Sequence, residues 1–377
     1  MRVAIAAESF LPQVNGVTNS VLRVCEHLRD NGHEALIIAP GDTDVPDSYA
    51  GFAVSTVPSV SLPMYQDVKV ALTPSFVMDR ILLDFAPDVL HAAAPFMVGS
   101  VALDSAARLA IPSVAIYQTD VPSYAKRYGL GLAENLAWTR VRDIHSLANL
   151  TLAPSTFARD QLLDHEVPRV RIWGRGVDTA RFSPDKRDLS LHDEWAPDSE
   201  VVIGYMGRLA PEKQVFDLEV LADIPGIRMV VVGGGPSKKT LKKQLPHALF
   251  LGKMEGDALA RAVATMDVFV HPGELETFCQ AIQEALASGV PVLAPAKGGP
   301  IDLVQSGHTG YLYPPGDLAA LRDRTIELVN DKEKRDSFSQ AARQFTATRT
   351  WPAICDQLLG YYAEVIQEAS RTHKDGR

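Results

Sequence analysis

The sequence has 377 residues, 46% of them hydrophobic, enough for two domains with separate cores, which excludes a disordered chain. A formal charge of −9 argues against general nucleic-acid binding, and the three cysteines, Cys25, Cys279 and Cys355, fit neither a disulfide framework nor a metal motif. No apolar run approaches the roughly 18 residues of a membrane span and a strand follows directly on Met1-Arg2, so a reducing cytosol is expected, with any membrane contact peripheral.

Arg2 to Ala7 predicts the first strand of a parallel sheet, Glu8 to Gly16 a loop and Val17 to Leu28 a helix, the grammar of a doubly wound α/β fold. Gly16 before a helix start lets a phosphate approach the backbone, or simply makes the turn. There is no G-x-G-x-x-G here, which weakens a dehydrogenase reading. A second strand, Glu34 to Ala39, leads into a Pro-rich, acidic connection from Pro40 to Pro74. Its Asp42-Thr43-Asp44 triplet reads as solvated surface rather than as a metal-binding D-x-D. Val89 to Ala92 and Ser113 to Tyr117 predict further strands, with a helix beyond Pro95. The second of these runs into Gln118-Thr119-Asp120-Val121-Pro122, at the strand end where open α/β sheets bind ligands. Asp120 either caps the next helix or serves the ligand. That helix, Pro122 to Ala148, mixes Lys126, Arg127, Arg140 and Arg142 with Leu130, Leu132, Leu136 and Trp138. The mixture suits either an ordinary amphipathic helix or one lying on an anionic bilayer. Strands at Leu150 to Ala153 and Val170 to Trp173 follow, and the polar run Ser183 to Glu200 reads as a linker.

The grammar restarts at Val201 to Met206, followed by Gly207-Arg208-Leu209-Ala210-Pro211-Glu212-Lys213. An Arg fork and a Lys point charge suit phosphate and neutralise a leaving group's growing charge. Met229 to Val232 ends in Gly233-Gly234-Gly235-Pro236, and Leu249 to Leu251 in Gly252-Lys253-Met254. Asp267 to Val270 then introduces the stretch His271 to Gly289: a strand end, a loop holding Glu274 and Glu276, and an amphipathic helix predicted to start at Thr277. Free N–H groups at a helix start attract a diphosphate, and a loop carboxylate accepts hydrogen bonds from sugar hydroxyls. Glu284 follows Glu276 by about two helical turns, within reach of a more distant part of one ligand.

Glu276, Glu284, Ala285, Gly289, Pro291 and Val292 resemble the signature of glycosyltransferase family 4, retaining enzymes of the GT-B fold. The run Gly207 to Lys213, the segment GRGVDTARFSP from Gly174 and the late turn Gly310 to Asp317 resemble the family too. The resemblance implies an α/β protein of two Rossmann-like doubly wound domains facing a central cleft. Residues 1–182 would bind the acceptor and 183–350 the nucleotide sugar, with a C-terminal helix, 351–370, packing back on the first domain. It implies that Arg208, Lys213 and the helix start at Thr277 hold the donor diphosphate, Glu276 the sugar and Glu284 the ribose, while Gly252-Lys253-Met254 reads the base. Gly16, Phe278 and Cys279 complete the expected donor site. Cys279 stands where many members have Gly, and Gly16 is the second of what is often a glycine pair. Where a family His often contacts the donor sugar, this chain has Gln118. Asp120 is therefore read as the group that orients the acceptor hydroxyl, with Gln118, Tyr124, Arg127 and Arg175 around the acceptor.

The implied mechanism needs no metal and no cofactor beyond the nucleotide sugar. The chain looks most like bacterial mannosyltransferases that move mannose from GDP-mannose to a membrane glycolipid in α-linkage, at the inner face of the plasma membrane. A UDP-sugar-dependent glycolipid synthase of the sulfoquinovosyl type is the nearest alternative. A sugar-nucleotide epimerase or hydrolase would convert the donor without an acceptor, and a non-catalytic nucleotide-sugar sensor would bind it without turnover.

Overall fold

A computed structural model describes residues 1–13, 15–41, 44–62, 65–71, 73–118 and 131–375. The chain divides into two compact units, Met1–Gly174 with Pro352–Arg377, and Arg175–Trp351.

The first unit is built on an eight-stranded sheet. Its strands are Arg2–Ala7 (β1), Glu34–Pro40 (β2), Ser48–Tyr49 (β3), Phe52–Val57 (β4), Val89–Ala93 (β7), Ser113–Ile116 (β8), Leu150–Ala153 (β9) and Val170–Ile172 (β10), in the order β10-β9-β8-β7-β1-β2-β4-β3. All pairings are parallel except β3 with β4. Val3 to Ala7 are fully buried, as a strand covered on both faces requires. The connection from Pro40 to Pro74, read from the sequence only as Pro-rich and acidic, holds regular structure. It contributes β3 and β4 to the sheet and a separate hairpin, Ser59–Leu62 (β5) with Tyr65–Ala71 (β6). The half-buried mixture of polar and apolar residues in Phe52–Val57, next to the edge strand β3, hid β4 among polar neighbours. Of the acidic triplet, Asp42 and Thr43 lie outside the described residues.

Helices Gly16–Asp30 (α1), Ser75–Phe85 (α2), Val98–Arg108 (α3), Gly131–Ser146 (α4) and Thr156–Asp164 (α5) follow the strands. The earlier part of the basic and apolar helix, with Lys126, Arg127 and Leu130, lies outside the described residues. In α4 the side chains of Trp138, Val141 and Ile144 are buried, and Trp138 stacks on His165 at 3.8 Å between ring centroids. Trp138 thus belongs to the core rather than to a bilayer-facing surface, while Leu136 stays exposed. The segment from Pro352 onward belongs to this unit. Tyr362 meets His91 of β7 at 2.5 Å, and the Trp173 indole donates to the Ile354 carbonyl.

The second unit holds a six-stranded parallel sheet: Val201–Met206 (β11), Ile227–Val232 (β12), Leu249–Gly252 (β13), Val268–Val270 (β14), Val292–Pro295 (β15) and Gly310–Tyr313 (β16), in the order β13-β12-β11-β14-β15-β16. The boundary between units falls at Gly174/Arg175 rather than at 182/183. Val177 bridges to Thr350, and Val177 and Phe182 are buried in the second unit's core. The expected linker, Ser183 to Glu200, contains the helix Leu189–Trp195 (α6), anchored by buried Trp195. Its capping side chain, Asp188, accepts from Leu191 N, a helix start easily mistaken for a polar loop. Helices Lys238–Gln244 (α7), Gly256–Ala264 (α8), Gln280–Ala287 (α9), Pro300–Leu303 (α10), Leu318–Asn330 (α11) and Lys332–Thr346 (α12) complete the unit, and Trp351–Asp375 (α13) runs from its last residue into the first unit. Among the described residues no helix is long and apolar enough to cross a membrane.

Candidate functional site

In each sheet the chain builds outward on one side of a central strand and then crosses to the other. The loops leaving the two strands at that crossing diverge and open a ligand site. In the first unit the crossing lies between β1 and β7, in the second between β11 and β14.

The two crossings differ in what occupies their helix starts. In the first unit, Glu8 Oε1 accepts from the backbone N–H groups of Phe96, Met97 and Gly99 at 2.7, 2.7 and 2.8 Å, so the start of α3 is already taken by a side-chain acid, which burial pushes up. The start of α1 is likewise occupied, by the Asn15 side chain accepting from Val17 N and Thr18 N. Gly16 is the first residue of that capped helix. In the second unit, α9 has no side-chain cap. Ile282 N donates to the Cys279 carbonyl, and the N–H groups of Gln280 and Ala281, with the helix dipole, remain for a ligand.

That helix begins three residues later than the sequence predicts. Cys279 has φ 78° and ψ 76°, a left-handed conformation that cannot continue a helix, so α9 starts at Gln280 and Thr277 sits in the preceding loop. The loop is held by its neighbours. Gly299 N donates to the Glu276 carbonyl at 2.7 Å, and a Cβ at Gly299 would come within 2.2 Å of the Phe278 carbonyl. Phe278 itself is a core side chain.

Glu276 is the centre of the polar cluster. Its Oε1 accepts from Lys213 Nζ at 2.5 Å and from His271 Nε2 at 2.9 Å. Burial alone would raise this acid, but the Lys213 charge and the His271 hydrogen bond outweigh it and hold it at about 2. Lys213, expected at the diphosphate, therefore lies on Glu276, the carboxylate expected to hold the sugar. Glu274 makes a second tie: its N donates to Gln214 Oε1 at 2.9 Å and its carboxylate meets Lys297 Nζ at 3.0 Å. The loops after β11, β14 and β15 are thus joined by side chains.

Glu284, on the second turn of α9, is pushed up to about 8 by burial, against a hydrogen bond from Gln280 and the charge of Arg181. Cys279 feels both Glu276 and Glu284, and burial pushes its thiol well up. Arg175, expected at the acceptor, belongs to the second unit. Burial lowers it to about 10 against the opposing pull of Glu276, and its carbonyl accepts from the fully buried Gln283 at 2.9 Å. Arg208 is exposed, with Nη1 3.5 Å from Glu212, and Tyr205 donates to its carbonyl. Lys253 is exposed and its stem lies over Gly234, while Met254 packs against the core. In the first unit Gln118 is buried at the end of β8. Asp120, Tyr124 and Arg127 lie outside the described residues.

The comparison with known proteins closes the argument for the family. Residues 14–181 match the model described as Glycosyltransferase Family 4, and residues 189–345 the model described as Glycosyl transferases group 1. A GDP-mannose-dependent alpha-mannosyltransferase of Mycolicibacterium smegmatis is 48% identical over 375 residues, covering 98% of this chain and 99% of that protein.

The chain belongs to glycosyltransferase family 4. A protein of the same name from Mycobacterium tuberculosis is 47% identical over 370 residues, 97% of each chain. The sucrose-phosphate synthase of Thermosynechococcus elongatus, 18% identical, superposes with a TM-score of 0.79 over 97% of this chain and 99% of its own, a likeness of GT-B fold. Within this family member, sequence reasoning missed His271, Gln214, Gln280 and Gln283. Gln283 was detectable as a polar residue among the apolar positions Ile282, Ala285 and Leu286. His271, Glu276 and Cys279 also bring three ligand atoms within 4.8 Å of one another, a donor set that suits zinc. A metal ion there would share the Glu276 carboxylate with the Lys213 ammonium, which lies on Oε1.

Proposed function

We propose that this chain transfers mannose from GDP-mannose, with retention and in α-linkage, to a membrane glycolipid acceptor. The identity of 47–48% along essentially the whole chain to relatives named for that donor carries the reading. The open start of α9, beside the Lys213–Glu276 pair, supports it.

In this reading the diphosphate binds at the start of α9 and draws Arg208 from the surface, with Lys213 bridging phosphate and Glu276. Thr277, Phe278 and Cys279 supply the surrounding backbone, and Lys253 and Met254 the edge that meets the base. Glu276, ionised, accepts from the sugar hydroxyls. Glu284, protonated at neutral pH, both donates to and accepts from the ribose. Gln118, Asp120, Tyr124 and Arg127 serve the acceptor. The acceptor hydroxyl attacks the anomeric carbon on the face the diphosphate leaves. One C–O bond forms as the other breaks, the hydroxyl proton passes to the departing phosphate oxygen, and GDP is released. The cations and helix dipole neutralise the charge that develops there. Peripheral contact with the inner face of the plasma membrane would bring the glycolipid to the enzyme.

Thermal shift against GDP-, UDP- and ADP-sugars, followed by product analysis with membrane glycolipid extract, tests the reading. Stabilisation by GDP-mannose and a mannosylated lipid are expected, with Arg208→Ala and Glu276→Ala each lowering turnover about 100-fold or more while remaining folded. A UDP-sugar preference would move the reading to the sulfoquinovosyl type, and donor conversion without an acceptor would overturn it.

A further inference from the structure

We propose that His271 is a positioning residue that aims Glu276 at the donor sugar, an inference that rests on the reading of Glu276 as the sugar-holding group. His271 lies at the end of β14, its N–H bonded to the Leu293 carbonyl of β15, so its backbone is part of the sheet. Its ring is buried and stacks on Tyr205 of β11, with centroids 6.1 Å apart and planes 10° from parallel. A Cβ at Gly273 would come 3.0 Å from Nε2, so the following loop folds closely over the ring. The imidazole is thus fixed from three sides.

An ionised carboxylate only accepts hydrogen bonds, so Nε2 carries the proton in the 2.9 Å contact with Glu276 Oε1. Lys213 donates to that same oxygen at 2.5 Å. Among the described residues no side chain bonds Glu276 Oε2. One oxygen is therefore anchored twice and the other is free to meet a ligand.

The two anchors differ in kind. Lys213 is an ammonium on a flexible stem and can follow the carboxylate through a rotation. The His271 ring is directional and immobile, and it decides which way Oε2 points. Its other nitrogen, Nδ1, is buried with no partner among the described residues. A phenyl ring would fill the same space against Tyr205 without an unsatisfied nitrogen. What only the imidazole supplies is the Nε2–H.

The test compares the affinities of GDP-mannose and GDP, by calorimetry, for the wild type, His271→Phe, His271→Gln and Glu276→Gln. The quantity read is the affinity that the sugar adds to the nucleotide. His271→Phe is expected to lose most of that increment, up to about 100-fold, with GDP binding unchanged. His271→Gln, whose amide N–H reaches the place of Nε2, is expected to keep the increment to within about tenfold. If His271→Phe retains the increment while Glu276→Gln loses it, the positioning role is overturned and the reading of Glu276 stands. If His271→Phe weakens GDP as much as GDP-mannose, or His271→Gln is no better than His271→Phe, His271 serves only the fold. If Glu276→Gln keeps the increment, the reading of Glu276 fails and the inference fails with it.

Discussion

Two carboxylates flanking one helix start are driven in opposite directions by their surroundings. Glu276, held at about 2 despite its burial by Lys213 and His271, stabilises the fold above its ordinary value of 4.5 and loses that contribution as pH falls toward 2. Glu284, raised to about 8 chiefly by burial, takes up a proton on folding between pH 4.5 and 8, so its contribution falls as pH rises through that window. Glu284→Gln should therefore stabilise the protein by an amount that is small near pH 5, reaches about 4 kcal/mol by pH 8 and levels off above pH 9. Urea unfolding across that pH range measures it, and the same variant, whose neutral amide also donates and accepts, should bind the nucleotide nearly as well at neutral pH. A pH-independent change would mean that Glu284 is solvated.

At the scale of the element, α9 owes its open start to one residue. Cys279 sits in a left-handed conformation that costs a residue with a Cβ about 1–2 kcal/mol, without a side-chain cap in return. The same torsion ends the loop carrying Glu276 and sets the free N–H groups of the next turn beyond it. Replacing Cys279 by Ala or by Gly removes the thiol in both cases, but only Gly releases the strain. Cys279→Gly should be more stable than Cys279→Ala by about 1 kcal/mol in chemical denaturation, the reverse of the order inside a helix. Equal stabilities would place the strain elsewhere.

At the scale of the whole molecule, the chain completes its first unit last. From Pro352 on, α13 buries Cys355, Leu358, Tyr362 and Val365 in that unit, with Tyr362 on His91 and the Ile354 carbonyl taking the Trp173 indole. Burial of such side chains is worth about 1.5–3 kcal/mol each, so ending the chain at Trp351 should remove about 5 kcal/mol or more from the first unit. Limited proteolysis of the shortened protein should then cut within 1–174 and spare 175–351. Uniform resistance would show that the first unit folds without the helix.

The strands were readable in advance because buried parallel strands are short apolar runs, and Val3 to Ala7, Val201 to Met206 and Val268 to Val270 are of that kind. The same pattern concealed β4, whose half-buried position beside the edge strand mixes polar and apolar residues, and α6, whose only buried helical residue is Trp195. The site divides along the same line. Glu276, Glu284, Arg208 and Lys213 were legible as residue types at fixed spacing, since charge and helical period are properties of the chain as written. Which cation lies on which acid was not. The Lys213–Glu276 contact joins residues 63 positions apart and forms because β11 lies beside β14, while His271, five residues before Glu276, meets it through the fold of the loop. The left-handed turn at Cys279 and the opposed acidities of Glu276 and Glu284 likewise arise from packing and desolvation, which exist only once the sheet has brought distant loops together.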